Sequence, residues 1–282
     1  MLKKRLNKNI NNHEFPKIML KYPTSIRLVH IIENFTRLKN WHINKTLRDI
    51  FKMFGHEVTF LDIGCGSGVF SIPYALKFSN SNIVCADKNS NNLEFINRYI
   101  QISKPKNIDT QEFNLGTTIS SKKYNLILCA SVLQYVQNDI KALSDLKSQL
   151  SNNGLLLLYL PINENRVFPF FNYLYKNYFK NFNYNISNNL IHKYTAEGVI
   201  QILKEAGFKI KKTKQTYGCF GKVYFELNTI LELSLKRIPI YLTPIIILIL
   251  ILAFPLFIVF MIIDYLVPTK KGNGFLVVAE AE

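Results

Sequence analysis

Paired cysteines are missing from this 282-residue sequence: Cys65, Cys85, Cys129 and Cys219 stand far apart, with no Cys-x-x-Cys. That excludes a disulfide framework and leaves no spacing for a zinc site, so no metal is expected. Three of the four lie within or beside apolar runs, where a cysteine reads as a small buried hydrophobe. Charge is sparse at 19%, and acids are the scarcer sign, with 19 Asp+Glu against 35 Lys+Arg and a net charge of +16. Such a surface attracts polyanions, either nucleic acid or an anionic lipid leaflet. No RNP-type aromatic motif accompanies the charge, so no nucleic-acid partner is expected, and much of the excess reads as a solvated basic surface. A signal-peptide core is absent as well: Met1–Ile10 is basic without an apolar stretch, which with unpaired cysteines points to a reducing cytoplasm.

What is present is apolar. Hydrophobic residues make up 48%, enough for a real core, so a disordered or fibrous chain is excluded. The mean hydropathy of +0.06 owes its height to one block, Ile238–Val267, almost unbroken in apolar residues. Without it the composition is ordinary, which argues against a polytopic membrane protein and in favour of membrane attachment.

Apolar positions from Tyr22 to Phe54 recur at helical spacing and predict two helices before the first strand. An alternation follows: strand Val58–Ile63, a glycine loop, a helix from Val69 to Phe78, strand Ile83–Ala86 ending at Asp87, and helix Ser90–Ser103. Asp109–Phe113 is a weak third strand and Tyr124–Ala130 a fourth. A helix near Ile140–Leu150, a turn at Asn153-Gly154 and strand Leu155–Leu160 complete the run. Thr195 reads as the N-cap of a helix through Leu203 that stops at Gly207. Phe208–Tyr217 and Gly274–Glu280 supply strands six and seven. Strands apolar throughout and separated by helices predict an α/β fold, a doubly wound, seven-stranded, mostly parallel Rossmann-like sheet. The domain reading is an N-terminal helical segment 1–54, a core 55–222 with an aromatic lid at about 162–190, an apolar helical insert 223–271 and a last core strand 272–282.

Leu61-Asp62-Ile63-Gly64-Cys65-Gly66-Ser67-Gly68 falls where the first strand turns into the first helix. Glycines there allow positive φ and close approach of a ligand, and the helix start offers unpaired N–H groups. A dinucleotide fingerprint would place its third glycine at Val69, so the spacing is Gly-x-Gly-x-Gly with an acid two residues ahead. Asp87, about 20 residues on and at the end of the adjacent strand, is placed to reach ribose hydroxyls.

With Ala86-Asp87-Lys88, Tyr124-Asn125-Leu126-Ile127, Ala130 to Val136 and Ala206-Gly207-Phe208, this run resembles class I S-adenosylmethionine-dependent methyltransferases, most of all the branch that includes quinone and small-molecule enzymes. The resemblance covers roughly residues 58–160. It implies S-adenosyl-L-methionine as cofactor, with Gly64, Cys65, Gly66 and Gly68 along its methionine part and Asp62 at the amino group. Asp87 would hold both ribose hydroxyls and Lys88 would flank the adenine. Asn114-Leu115 stands where relatives carry an acid for the adenine amino group; Asn can accept, but without charge. Ala130 and Ser131 would floor the pocket beside Gln134.

Gln134-Tyr135 replaces the His-His or Glu-His of relatives, which removes the obvious general base. In-line transfer from a sulfonium can rest on alignment alone; His192 and Tyr135 are the remaining catalytic candidates. The aromatic stretch Phe168–Tyr184 would be a lid over an apolar substrate. The apolar block is long enough to span a bilayer, but in the fold that the resemblance implies the seventh strand returns beside the sixth, so a single crossing, the remaining alternative, would displace it. Pro255 interrupts the block, and Lys236-Arg237 and Lys270-Lys271 flank it. The expectation is a helical hairpin dipping into one leaflet, or two interfacial helices, broken near Pro255. An enzyme on the cytoplasmic face of a membrane, methylating a hydrophobic or lipid-linked acceptor, follows. The alternatives are a soluble small-molecule acceptor with the insert as anchor only, or a membrane-attached binding protein without turnover.

Overall fold

The computed structural model describes residues 22–118, 121–162, 167–168, 170, 173, 190–237 and 239–282. In chain order the elements are α1 (Ile26–Thr36), α2 (Leu38–Met53), β1 (Thr59–Ile63), α3 (Ser71–Lys77), β2 (Asn82–Asp87), α4 (Ser90–Ser103), β3 (Ile108–Glu112) and β4 (Tyr124–Ala130). There follow α5 (Asp139–Ser148), β5 (Leu150–Pro161), α6 (Ala196–Glu205), β6 (Phe208–Thr216), α7 (Cys219–Arg237), α8 (Thr243–Leu266) and β7 (Gly274–Ala281). The seven strands form one sheet in the order β3-β2-β1-β4-β5-β7-β6. All neighbours are parallel except β7, which runs antiparallel between β5 and β6. The strand order reverses between β1 and β4, the crevice where open α/β sheets bind ligands.

Alternate residues of each strand feed the two faces. Phe60, Ile83 and Cys85 pack with Ile43, Leu47 and Phe51 of α2 and with residues of α3 and α4. Leu61, Ile63, Val84 and Ala86 pack with α5 and α6. Strands covered on both sides have no solvent face, which is why they read as unbroken apolar runs. The aromatic lid lies almost wholly outside the described residues.

Two expectations need correction. Strand five does not begin after a turn at Asn153-Gly154: Leu150 already pairs with Tyr124, and the register then jumps to Leu126 opposite Leu155. Asn153 takes a φ of +60°, so the residues that resemble a turn form a bulge inside the strand. The apolar block, in turn, is not broken at Pro255. It is one continuous helix, α8, with the proline inside it. The hairpin is instead made by α7 and α8, with a short helical turn at Ile240–Leu242 leading into α8. Lys236-Arg237 therefore closes α7 at the far end of the hairpin from Lys270-Lys271. Proline removes one helix hydrogen bond, yet α8 continues because Phe257 and Met261, beyond it, pack on Leu38 and Tyr224.

The single acid of α8 fastens this hairpin. Asp264 is buried, and its Oδ1 accepts from the Gly221 N–H at 2.8 Å, in the first turn of α7. A carboxylate at a helix N-terminus satisfies donors that the helix itself leaves free. A Cβ on Gly221 would stand 2.7 Å from the Asp264 carboxylate, so the small residue makes the approach possible. Replacing the anchor by an apolar side chain, Asp264→Leu, is expected to cost about 1–3 kcal/mol for the donors left unpaired. A lowered thermal midpoint with an unchanged far-ultraviolet circular dichroism spectrum would register it.

Candidate active site

The loop after β1 turns on alternating glycines. Gly64, Gly66 and Gly68 have φ of +68°, +55° and +70°, a region costly for other residues. Gly64 also has no room for a side chain, since a Cβ would lie 2.3 Å from Val132 Cγ2. That contact joins the β1 loop to the segment after β4. The loop is pinned to β2 as well, the N–H groups of Gly64 and Cys65 both donating to the Ala86 carbonyl at 2.7 and 3.1 Å. At Gly66 a Cβ would meet none of the described residues within 4 Å, so none of them fills the space in front of the backbone there.

Two carboxylates stand beside this loop. Asp87, at the end of β2, accepts from the Gly66 N–H at 2.9 Å and from Asn92 Nδ2 at 3.3 Å through one oxygen. The other oxygen accepts from the Asn89 N–H at 2.9 Å. Asp62 on β1 is buried and accepts from the Ser71 hydroxyl. Burial pushes its carboxyl up to about 7; the Ser71 hydroxyl opposes the rise and Asp87 adds to it. Cys65 is buried against Cys85, and the neighbouring thiol together with burial raises its titration.

The remaining residues expected from the sequence are spread more widely. Lys88 is exposed beyond Asp87. Asn114 is exposed in the turn after β3, where its carbonyl accepts from the Thr117 and Thr118 N–H groups, while Leu115 is buried in the sheet's second face. Ala130 ends β4. Ser131 has a φ of +60°, held by its N–H on the Tyr159 carbonyl at 2.8 Å and by Gln134 Nε2 on its own carbonyl at 3.0 Å. The buried Gln134 Oε1 has no hydrogen-bond partner among the described residues. Of the two catalytic candidates, His192 holds the Val136 carbonyl at 2.9 Å through Nε2, with Tyr194 stacked on its ring. Tyr135 is half-buried in a single helical turn, and burial raises its phenol.

Sequence reasoning missed the N-terminal helices as part of the site. From α1, Glu33 accepts from the Ser67 hydroxyl and His30 Nε2 holds the Ser67 carbonyl at 2.8 Å. From the first turn of α2, Lys39 Nζ donates to Ser131 Oγ at 3.3 Å, while its backbone N–H donates to the Tyr217 hydroxyl at 3.2 Å. No local pattern marks these residues, because their partners lie far along the chain. A cavity of about 420 Å³ also opens against Val84, Asp109, Thr110 and Gln111, but no residue of the glycine loop lines it.

An open-fronted glycine bend, a carboxylate at the end of the next strand and an unpaired buried acceptor after β4 fit a ligand carrying ribose hydroxyls and an amine. Residues 44–213 match the family described as Methyltransferase domain. The chain belongs to this family, the class I S-adenosylmethionine-dependent methyltransferases. It is 26% identical over 133 residues to the ubiquinone biosynthesis O-methyltransferase of Rickettsia akari, covering 47% of each chain. To malonyl-[acyl-carrier protein] O-methyltransferase 2 of Ilyobacter polytropus it is 32% identical over 97 residues, covering 34% of this chain and 37% of that protein. The chain thus spans about half or less of the length of these relatives. Among solved structures, Haemonchus contortus phosphoethanolamine N-methyltransferase 2 in complex with S-adenosyl-L-methionine shares the fold with a TM-score of 0.55. Identity there is 17%, over 84% of this chain and 52% of that one.

The expectation that Asp87 holds the ribose hydroxyls can be measured directly. A hydrogen bond to a charged group contributes about 1.5–3 kcal/mol, roughly 10- to 150-fold in affinity. Asp87→Asn, which keeps the shape and removes the charge, is expected to weaken S-adenosylhomocysteine binding by at least about tenfold in titration calorimetry.

Proposed function

We propose that this protein works on the cytoplasmic face of a membrane, moving a methyl group from S-adenosylmethionine to a hydrophobic or lipid-linked acceptor. One observation carries the reading. The C-terminal half of α8 packs on Leu38 of α2, and the next residue of α2, Lys39, reaches Ser131 at the end of β4. An apolar surface and the acceptor side of the site therefore share one helix turn.

A helix apolar around its whole circumference belongs in a core or in lipid. Only 11% of the most apolar window of α8 is buried, and Leu252 is 71% exposed. Its antiparallel partner α7 carries Lys222, Glu226 and Glu232. A full crossing by the hairpin would draw such charges through hydrocarbon at about 2.5–3.5 kcal/mol each near the centre. A re-entrant or interfacial seat, α8 toward lipid and α7 toward the domain, avoids that cost. At the domain end of α8, Lys214 and Lys45 lie 5.4 and 5.7 Å from the centre of the Tyr265 ring, and Lys270-Lys271 follow. Cations beside an aromatic ring suit anionic headgroups. The Rickettsia akari relative is named for ubiquinone biosynthesis, which supports a hydrophobic acceptor.

S-adenosylmethionine supplies a methyl group already activated by the positive charge on sulfur. The chain's own part is alignment: Asp87 for the ribose, Asp62 for the amine, the glycine bend for the chain between them, and Gln134 Oε1 as a further acceptor.

Three measurements test this. Leu248→Glu combined with Leu252→Glu changes two exposed residues. It is expected to abolish sedimentation with phosphatidylglycerol-containing vesicles without lowering the thermal midpoint. Mass spectrometry of lipid extracts, with and without the gene, is expected to reveal a species lacking one methyl group; unchanged lipids would remove the lipid acceptor. The third test is pH. Asp62 titrates higher in the folded chain than when free, so its protonated form favours folding, and that benefit is lost as pH rises toward about 7. A bound ammonium needs the ionised form. Affinity for S-adenosylhomocysteine should therefore increase between about pH 6 and about pH 8, and Asp62→Asn should flatten the increase.

A further inference from the structure

The sequence lacks the histidine pair of its relatives; of the two side chains it offers instead, His192 has its Nε2 engaged by the Val136 carbonyl, and burial raises the Tyr135 phenol. We infer that Lys39 is the general base of this enzyme, taking the proton of an acidic acceptor hydroxyl, phenolic or enolic, at the end of β4. The inference rests on the methyltransferase reading above and adds a residue to it.

The geometry has three parts. Lys39 Nζ lies 3.3 Å from Ser131 Oγ, at the crevice between β1 and β4 where the strand order reverses. The residue after Ser131 is Val132, which touches Gly64 of the cofactor loop closely enough to forbid a side chain there. The lysine nitrogen is therefore one residue removed from the segment that meets the loop. Ser131 itself sits at positive φ, fixed by hydrogen bonds at both its N–H and its carbonyl. Such strain persists where the surroundings over-determine it, often at functional sites. The helix carrying Lys39 is also held in place: Tyr217 accepts its N–H and the Tyr224 hydroxyl donates to the Thr36 carbonyl.

The groups around Lys39 favour the neutral amine. Burial lowers its titration to about 8, Arg37 at the head of the same helix lowers it further, and Glu33 from α1 opposes. Tyr217, after β6, is itself pushed up to about 12 by burial and so faces Lys39 uncharged; Ser131 is neutral. A free phenol titrates near 10, within reach of an amine near 8, whereas an aliphatic hydroxyl is not. In the step, the acceptor O–H proton passes to Nζ, the oxygen–carbon bond forms, and the carbon–sulfur bond breaks with its electron pair left on sulfur. One positive charge is lost at the sulfonium and one gained at Lys39, so the site's net charge is unchanged.

Two arms test this on the full chain in detergent. The first needs no acceptor: competitive acetylation with acetic anhydride, read by mass spectrometry across pH with S-adenosylhomocysteine present. Lys39 is expected to label with a midpoint near 8, with the exposed Lys209 followed in the same digest as internal reference. A Lys39 midpoint above about 10, or no labelling at any pH, overturns the proposal. The second arm uses 3-pentadecylcatechol as acceptor. Lys39→Arg keeps the charge but cannot give up its proton, so it should bind S-adenosylhomocysteine within about twofold of wild type while losing at least about 100-fold in kcat. The rise of wild-type kcat through about 8 should be missing from the variant. Lys39→Ala should regain turnover with added ethylamine. Retained turnover in Lys39→Arg overturns the proposal. Failure of the wild-type chain to bind S-adenosylhomocysteine would instead sink the methyltransferase reading, and catechol turnover absent from the wild type leaves the decision to the acetylation midpoint.

Discussion

The close approach of Gly64 to Val132 holds the site together. These residues follow β1 and β4, neighbouring strands whose chain connections leave in opposite directions across the sheet. Because nothing larger than hydrogen fits at Gly64, the two carboxyl-end loops touch, and what each carries becomes one surface. The first loop brings Gly66 against Asp87. The second brings Ser131 and Gln134, and through Ser131 the N-terminal helix α2. The glycine loop and the segment after β4 thus meet where the Gly64 backbone lies against the Val132 side chain.

The hairpin added before the last strand extends the same logic outward. A helix as apolar as α8 would be an aggregation hazard if it hung free. One end of it is instead built into the domain: Asp264 closes the N-terminus of α7, and Phe257 and Met261 share a cluster with Leu38 and Tyr224. The other end stays uncovered. Glu226 on α7, only 1% exposed, accepts from the Val167 and Phe168 N–H groups at 2.7 and 2.9 Å. The hairpin is therefore tied to the root of the aromatic segment as well as to α2.

Much of this was legible in the chain order. Strands buried on both faces announce themselves as apolar runs, and Thr195 does cap α6, accepting from the Gly198 N–H at 3.0 Å. The glycine loop was legible because positive φ at alternate positions calls for glycine, and Asp87 because it ends the strand beside that loop. The misreadings came where two local meanings compete. Asn153-Gly154 is a turn pair by composition but a bulge when β4 is already beside it. Pro255 is a helix breaker in isolation but is carried through when packing resumes two residues later.

Residue order alone settles what depends on neighbours a few positions away: strand and helix periods, the glycine bend, the apolar block and the scarcity of acids. Tertiary structure decides what depends on residues far apart. Ser131 is 92 positions from Lys39, and Asp264 is 43 from Gly221. Neither pair has a spacing rule, because the sheet and not the local chain brings them together. The same holds for titration: a lysine or an aspartate is ordinary in the sequence, and only burial makes Lys39 a ready amine or Asp62 a reluctant acid.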